Sequence, residues 1–211
     1  MLPRLPPVTQ NLIIANVAVF AAHTLVPNLV PNWLALWPLG APVGYPEFSP
    51  FQLLSYGFLH GNFSHLFFNM LALYMFGVAL ELTWGQKRFL TYYLVCVAGA
   101  GICQLLAALM SENHVPVVGA SGGVFGLLLA FGMLFPNQRV MLLFPPIPMK
   151  ARTFVLCFGA AELLLGLTGW QPGVAHFAHL GGMAFGWLLI RYWRGQRPFK
   201  RPGPPYLRRV K

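Results

Sequence analysis

Three short segments carry polar groups whose types and spacing could do chemistry. They are His65-Leu66-Phe67-Phe68-Asn69, Gly119-Ala120-Ser121-Gly122-Gly123, and Ala175-His176-Phe177-Ala178-His179-Leu180-Gly181-Gly182, with Gly186 four residues on. A serine hydroxyl is a weak nucleophile until a base takes its proton, and neutral imidazole suits that role near pH 7. The third segment offers two such bases, His176 and His179, three apart and on nearly the same helical face. His65 and Asn69 are four apart, so a helix sets them on one face about 6 Å apart along its axis. Both can then donate hydrogen bonds to one point. Glycines beside Ser121 allow a tight turn and the close approach of a carbonyl. A serine at a helix start also lies beside backbone N–H groups that have no partner inside the helix, and such donors stabilise an oxyanion. Each segment has a plainer alternative: Ser121 as a helix N-cap, His65 and Asn69 as interhelical hydrogen bonds.

The elements that must position these groups are membrane spans. Of 211 residues, 57% are hydrophobic and 9% charged, where a soluble domain carries about 25% charged. Six apolar runs predict spans, at about Asn11–Val26, His65–Thr83, Phe89–Met110, Ser121–Phe135, Thr153–Trp170 and Ala175–Tyr192. The segment Pro27 to Ser64 is rich in Pro, Trp and Phe. It is too apolar for a disordered loop and too broken for a span, which suits the outer interface. The string around Ser121 also fits a soluble-hydrolase nucleophile elbow, but that turn needs a buried strand before it, and the flanks here are spans.

All fourteen basic residues fall on one side of such a bundle. Arg4 precedes span one, Lys87 and Arg88 separate spans two and three, and Arg139, Lys150 and Arg152 separate spans four and five. Eight more follow span six, from Arg191 to Lys211. This positive-inside pattern places both termini in the cytoplasm. The basic tail then reads as an anchor on anionic lipid rather than a nucleic-acid site. The domain organisation is a short tail over 1–10, a membrane domain over 11–193 and a basic tail over 194–211. Compact termini suit a bacterial inner membrane. Spans two, four and six all start at the outer face, so the five polar side chains converge in one half of the bundle. Polar groups at such depth are costly and mark function. Gly122 with Gly126, and Gly182 with Gly186, let spans four and six approach closely and bring a span-six histidine to Ser121. Cys96, Cys103 and Cys157 lie inside apolar runs without metal-ligand spacing and read as packing residues. Of the four acidic residues, three are badly placed for a third catalytic member: Glu47 and Glu112 lie in outer connections, and Glu81 is near the inner end of span two. Glu162, deep in span five, reads by default as a structural hydrogen bonder, and sequence alone leaves a place as third member of the site open to it. The expectation is a Ser–His dyad rather than a triad.

In this order and on these spans, the residues resemble the rhomboid family. The resemblance is carried by His65-x-x-x-Asn69, by Gly119-Ala120-Ser121-Gly122, and by Ala178-His179-x-x-Gly182-x-x-x-Gly186. His60 upstream and Glu81 followed by Gly85 add to it. It implies an all-α membrane protein: a six-transmembrane-helix rhomboid-type bundle with an interfacial segment between helices 1 and 2. It implies Ser121 as nucleophile and His179 as base, with His65, Asn69, Gly119, Ala120 and the Ser121 N–H around the oxyanion and substrate. His60, Gly122, His176, Gly182 and Gly186 have structural places near the site. His176 is the other candidate base, and the Ala-His-x-x-Gly context favours His179. The implied activity is serine-protease cleavage of the transmembrane segments of membrane proteins, through an acyl-enzyme and without metal or cofactor. Its partners are membrane-protein substrates and the lipid bilayer, not nucleic acid. Span five and the connection before span six gate access. Many family members have Trp-Arg in the first outer segment where this chain has Phe51-Gln52, which puts one structural contact in doubt. Non-catalytic relatives usually lack the serine or the base, and this chain has both. A small transporter or channel would leave the glycine-flanked Ser and its His unexplained.

Overall fold

The first helix, α1 (Pro7–Leu25), starts four residues before the apolar run that predicts it. Proline at its first turn has no N–H to leave unpaired. The next N–H groups find a partner far along the chain. The Glu81 carboxylate accepts from Val8 N at 2.9 Å, Thr9 N at 2.7 Å and Thr9 Oγ1 at 2.8 Å. An anion at a helix N-terminus meets both the free donors and the positive end of the dipole. Glu81 is buried, so this cap ties α1 to the helix that carries Glu81. The structure, a computed structural model, is described at residues 5–26, 29–30, 32–40, 43–111, 115–141, 146–169 and 174–195. Expectations for most of both tails, for Glu112 and for the connection 170–173 lie outside these residues.

A short helix α2 (Gln52–Ser55) belongs to the segment after α1. The long helix Phe63–Trp84 follows in three parts: α3 (Phe63–Ala72), a π-helical turn at Leu73–Gly77, and α4 (Val78–Trp84). Asn62 caps α3 by accepting from His65 N at 2.8 Å, which moves the helix start ahead of His65. Gly85, at φ 77°, closes α4 and turns the chain into α5 (Gln86–Ser111). Then come α6 (Ser121–Leu134), α7 (Ala151–Thr168) and α8 (His176–Trp193). The described residues are mostly helical, as an all-α membrane fold expects, with one short addition. Between α6 and α7, Arg139–Met141 pairs antiparallel with Pro148–Lys150.

Among the described residues, Pro7–Leu25, Phe63–Trp84, Gln86–Met110 and Ala151–Thr168 are long and apolar enough to cross a membrane. Ser121–Leu134 is apolar and shorter. α8 carries His176, His179 and Arg191 and lies outside that group. It packs against α5, α6 and α7, so its polar face is covered by protein. α7 is the opposite case, with Leu156, Leu164 and Leu167 all exposed. An apolar outer surface of this kind fits a bilayer.

The packing of α8 rests on absent side chains. A Cβ at Gly182 would strike the carbonyl oxygen of Gly122, and one at Gly186 the Tyr92 hydroxyl. That hydroxyl donates to Gly126 O at 2.8 Å. Cys96 is buried where a Cβ on Gly126 would fall, as a packing residue should be, whereas Cys157 is exposed.

The segment before α3 is bound to the turn before α6. Leu36 and Val117 exchange backbone hydrogen bonds of 3.0 and 2.9 Å. Gln52 is buried and holds the segment from within: its Oε1 accepts from Trp37 N at 3.1 Å, and its Nε2 donates to Trp33 O at 2.8 Å and Glu47 O at 3.1 Å. Phe51-Gln52 therefore supplies its own structural contact. His60 is also buried, and its Nε2 accepts from Ala120 N at 3.5 Å. Burial, and then the neighbouring His65, push its pKa down to about 4.

Two stability predictions follow from these contacts. Glu81→Ala strands the Val8 and Thr9 donors and is expected to cost about 3 kcal/mol or more. Thermal unfolding in detergent checks this, and an unchanged midpoint would count against the cap. For His60, the fold favours the neutral ring while the unfolded chain takes a proton at about 6.5. Its contribution is therefore complete above pH 6.5 and is lost as pH falls from 6.5 towards 4. The unfolding midpoint of the native chain should fall faster across that window than that of His60→Phe.

Candidate active site

Ser121 is the first residue of α6, so its N–H has no carbonyl partner one turn earlier within the helix. The turn that delivers it depends on Gly119, at φ 128°. A Cβ there would lie 2.6 Å from His65 Nε2, so both backbone conformation and space require glycine. Gly119 N donates to Tyr56 O at 3.0 Å, and the buried Tyr56 hydroxyl donates to Val97 O at 2.7 Å. The turn is thus fixed to α5 through the segment before α3. His60 holds Ala120 from behind, its ring 5.0 Å from that of His65.

His179 sits in the first turn of α8, with Nε2 2.8 Å from Ser121 Oγ. Its ring stacks on Phe125 at 4.3 Å and 6° between planes. Phe125 is four residues after Ser121, so one face of α6 supplies both the hydroxyl and the surface that orients the imidazole. The opposite ring nitrogen, Nδ1, lies 2.9 Å from Glu162 Oε2. The same oxygen is 2.7 Å from His176 Nδ1. An ionised carboxylate only accepts hydrogen bonds, so each Nδ1 that meets it carries the proton. His179 Nε2 is then left with its lone pair towards the serine hydroxyl. A nitrogen so placed can take the proton of that hydroxyl.

Two imidazoles and a carboxylate also form a zinc-type donor set, with ligand atoms within 4.8 Å of one another. The contacts of 2.7 and 2.9 Å are hydrogen-bond lengths, and a metal ion would have to displace both Nδ1 protons.

Ser121 and His179 open into a cavity of about 790 Å³, which His65 and Asn69 also line. Asn69 Nδ2 donates to His65 O at 3.0 Å. Phe68 and Phe76 from the α3 side and Phe154 and Phe158 from α7 make its walls apolar. Of the residues expected from sequence, Ser121, His179, His65 and Asn69 meet in this cavity. Gly119 and Ala120 form the turn behind it, which His60 contacts. Gly122 and Gly182 sit where α6 and α8 touch, and Gly186 packs farther along against Tyr92. His176 faces Glu162, and among the described residues its Nε2 has no partner. Sequence reasoning missed Phe125, although its spacing from Ser121 was a usable signal. It also missed the contact of Glu162 with both imidazoles, and Gln104, which lines the cavity from α5.

Comparison with known proteins places the chain in a family. Residues 47–196 match the Rhomboid domain. The chain is 40% identical to RHOMBOID-like protein 4 of Arabidopsis thaliana over 138 residues, covering 65% of this chain and 32% of that protein. It is 30% identical to Rhomboid protein 1, mitochondrial, of Saccharomyces cerevisiae over 155 residues, covering 71% and 44%. It is 32% identical to the Putative rhomboid protease YdcA of Bacillus subtilis over 134 residues, covering 62% and 61%. The chain thus spans between a third and three fifths of the length of these relatives. With the family match running from the segment before α3 to the end of α8, and so through the whole of the site, the chain belongs to the rhomboid family, whose members are generally intramembrane serine proteases.

Proposed function

We propose that this protein is an intramembrane serine endopeptidase, with Ser121 as nucleophile and His179 as general base, acting on transmembrane segments of other membrane proteins. The observation that carries this reading is the 2.8 Å contact between His179 Nε2 and Ser121 Oγ, at a helix N-terminus inside an apolar-walled cavity.

In the reaction, His179 Nε2 takes the Ser121 proton as Oγ attacks the scissile carbonyl carbon. The oxygen of that carbonyl becomes an oxyanion, for which His65, Asn69 and the Ser121 N–H are the donors. Collapse breaks the C–N bond, and His179 gives its proton to the departing amine. Water then attacks the acyl ester and loses a proton to His179. The second collapse releases the acid and returns the proton to Ser121 Oγ. Neither metal nor cofactor enters this scheme. A helical substrate must first unwind, because its carbonyls are engaged in helix hydrogen bonds. Small residues at the cut and helix-weakening residues nearby meet that need.

The same reading takes six crossings, with Pro27 to Ser64 at the outer interface and the basic ends in the cytoplasm of a bacterial cell. α6 has 14 residues and covers about 21 Å, less than the ~30 Å of a hydrocarbon core. Ser121 then starts below the outer surface, where the cavity admits the water that hydrolysis needs. Substrate reaches it past α7, the helix most exposed on its outer face.

The test is a comparison of the native chain, Ser121→Ala and His179→Ala in detergent, with a labelled single-span substrate. Both substitutions are expected to lower turnover by at least about 1,000-fold. Cleavage by Ser121→Ala at the native rate would reduce the serine to a helix cap and overturn the reading.

A further inference from the structure

Sequence leaves the role of Glu162 open, and its carboxylate oxygen meets both His176 and His179. We propose that Glu162 is a positioning residue for His179, a third member of the site that extends the expected pair to a carboxylate–imidazole–hydroxyl triad. This inference rests on the protease reading above.

A neutral imidazole has one N–H. If that proton sat on Nε2, His179 would present a donor to Ser121 and could not take its proton. The carboxylate oxygen 2.9 Å from Nδ1 holds the proton on the other nitrogen. Proton transfer from Ser121 leaves an imidazolium in a site where His179 is only 8% exposed, and an unpaired charge there is costly. His65, on α3, also faces the cavity and cannot offset that charge. Glu162 on α7 can. Among the described residues the other carboxylates are elsewhere, with Glu81 committed to the start of α1.

His176 meets the same carboxylate. Its Nδ1 is 2.7 Å from the same Glu162 oxygen, and its buried Nε2 has no partner among the described residues. The described polar contact of His176 is therefore with the carboxylate. A carboxylate held from one side by His176 stays aimed at His179. A purely structural Glu162 would need only His176. Sharing one oxygen with the very imidazole that faces the serine is what a positioning role requires.

The experiment uses the full chain in detergent, native and Glu162→Gln, with Ser121→Ala as control and the labelled single-span substrate as probe. Gln keeps the size and an acceptor oxygen but removes the charge. The expected result is a fall in kcat of at least about tenfold with KM within about twofold, relative to folded protein. Glu162→Asp, which restores the charge, should recover part of the loss. Imidazole ¹⁵N spectra of the native protein should show His179 protonated on Nδ1 at neutral pH. Native kcat in Glu162→Gln overturns the proposal, and so does a neutral His179 protonated on Nε2. The spectrum decides alone if Glu162→Gln does not fold. If Ser121→Ala cleaves, the protease reading itself has failed. If Ser121→Ala is dead and Glu162→Gln turns over normally, only this inference has failed.

Discussion

Where α6 and α8 cross, the carbonyl of Gly122 occupies the space a side chain on Gly182 would need. This backbone-to-backbone contact sets the distance on which the chemistry depends. Water drives little association between helices inside a bilayer, so close packing of small residues carries the interface. One turn from that crossing, His179 Nε2 reaches Ser121 Oγ at 2.8 Å. A helix pair held apart by a methyl or isopropyl group would leave both side chains in place chemically and out of reach of each other. Gly119 imposes a similar limit on the other side, since any side chain there would run into His65.

Several buried polar groups of the fold hold backbone groups from other parts of the chain. Glu81 satisfies the start of α1. Gln52 satisfies three backbone groups of the segment before α3. Tyr56 links that segment to α5 and, through its carbonyl, to Gly119. Each contact places a buried donor against an acceptor, as an apolar surround demands. The segment before α3 is therefore part of the site's support: it fixes the turn that starts α6, and α6 presents Ser121. Glu162 is the exception in location. It rides on α7, the helix with the least buried surface, yet its carboxylate meets the two histidines of α8.

Much of this was legible in the sequence because the bilayer simplifies the code. Long apolar runs marked the helices, and helix-period spacing placed His65 with Asn69 and paired the small residues of α6 and α8. Boundaries were less legible. α1 starts at Pro7 with a carboxylate 72 residues beyond Thr9 holding its first turn, and α3 starts early because Asn62 caps it. Local patterns do not encode a cap supplied from another helix. The antiparallel pairing after α6 was invisible for the same reason, being two three-residue strands with little periodicity. Glu162 was seen as unusual, but its rotation about α7 relative to His176 and His179 depends on how α7 leans on α8. Phe125 was hidden differently: an apolar residue in an apolar helix carries no signal of its own.

The central claim is that His179 activates Ser121, and a covalent probe tests it without any assumption about the substrate. The native protein and His179→Ala would each be reconstituted in lipid vesicles, treated with a fluorophosphonate, and read by intact and peptide mass. A single adduct on Ser121 in the native chain, lost or greatly slowed in His179→Ala, is the predicted result. Equal labelling of both proteins, or none in the native chain, would contradict the account.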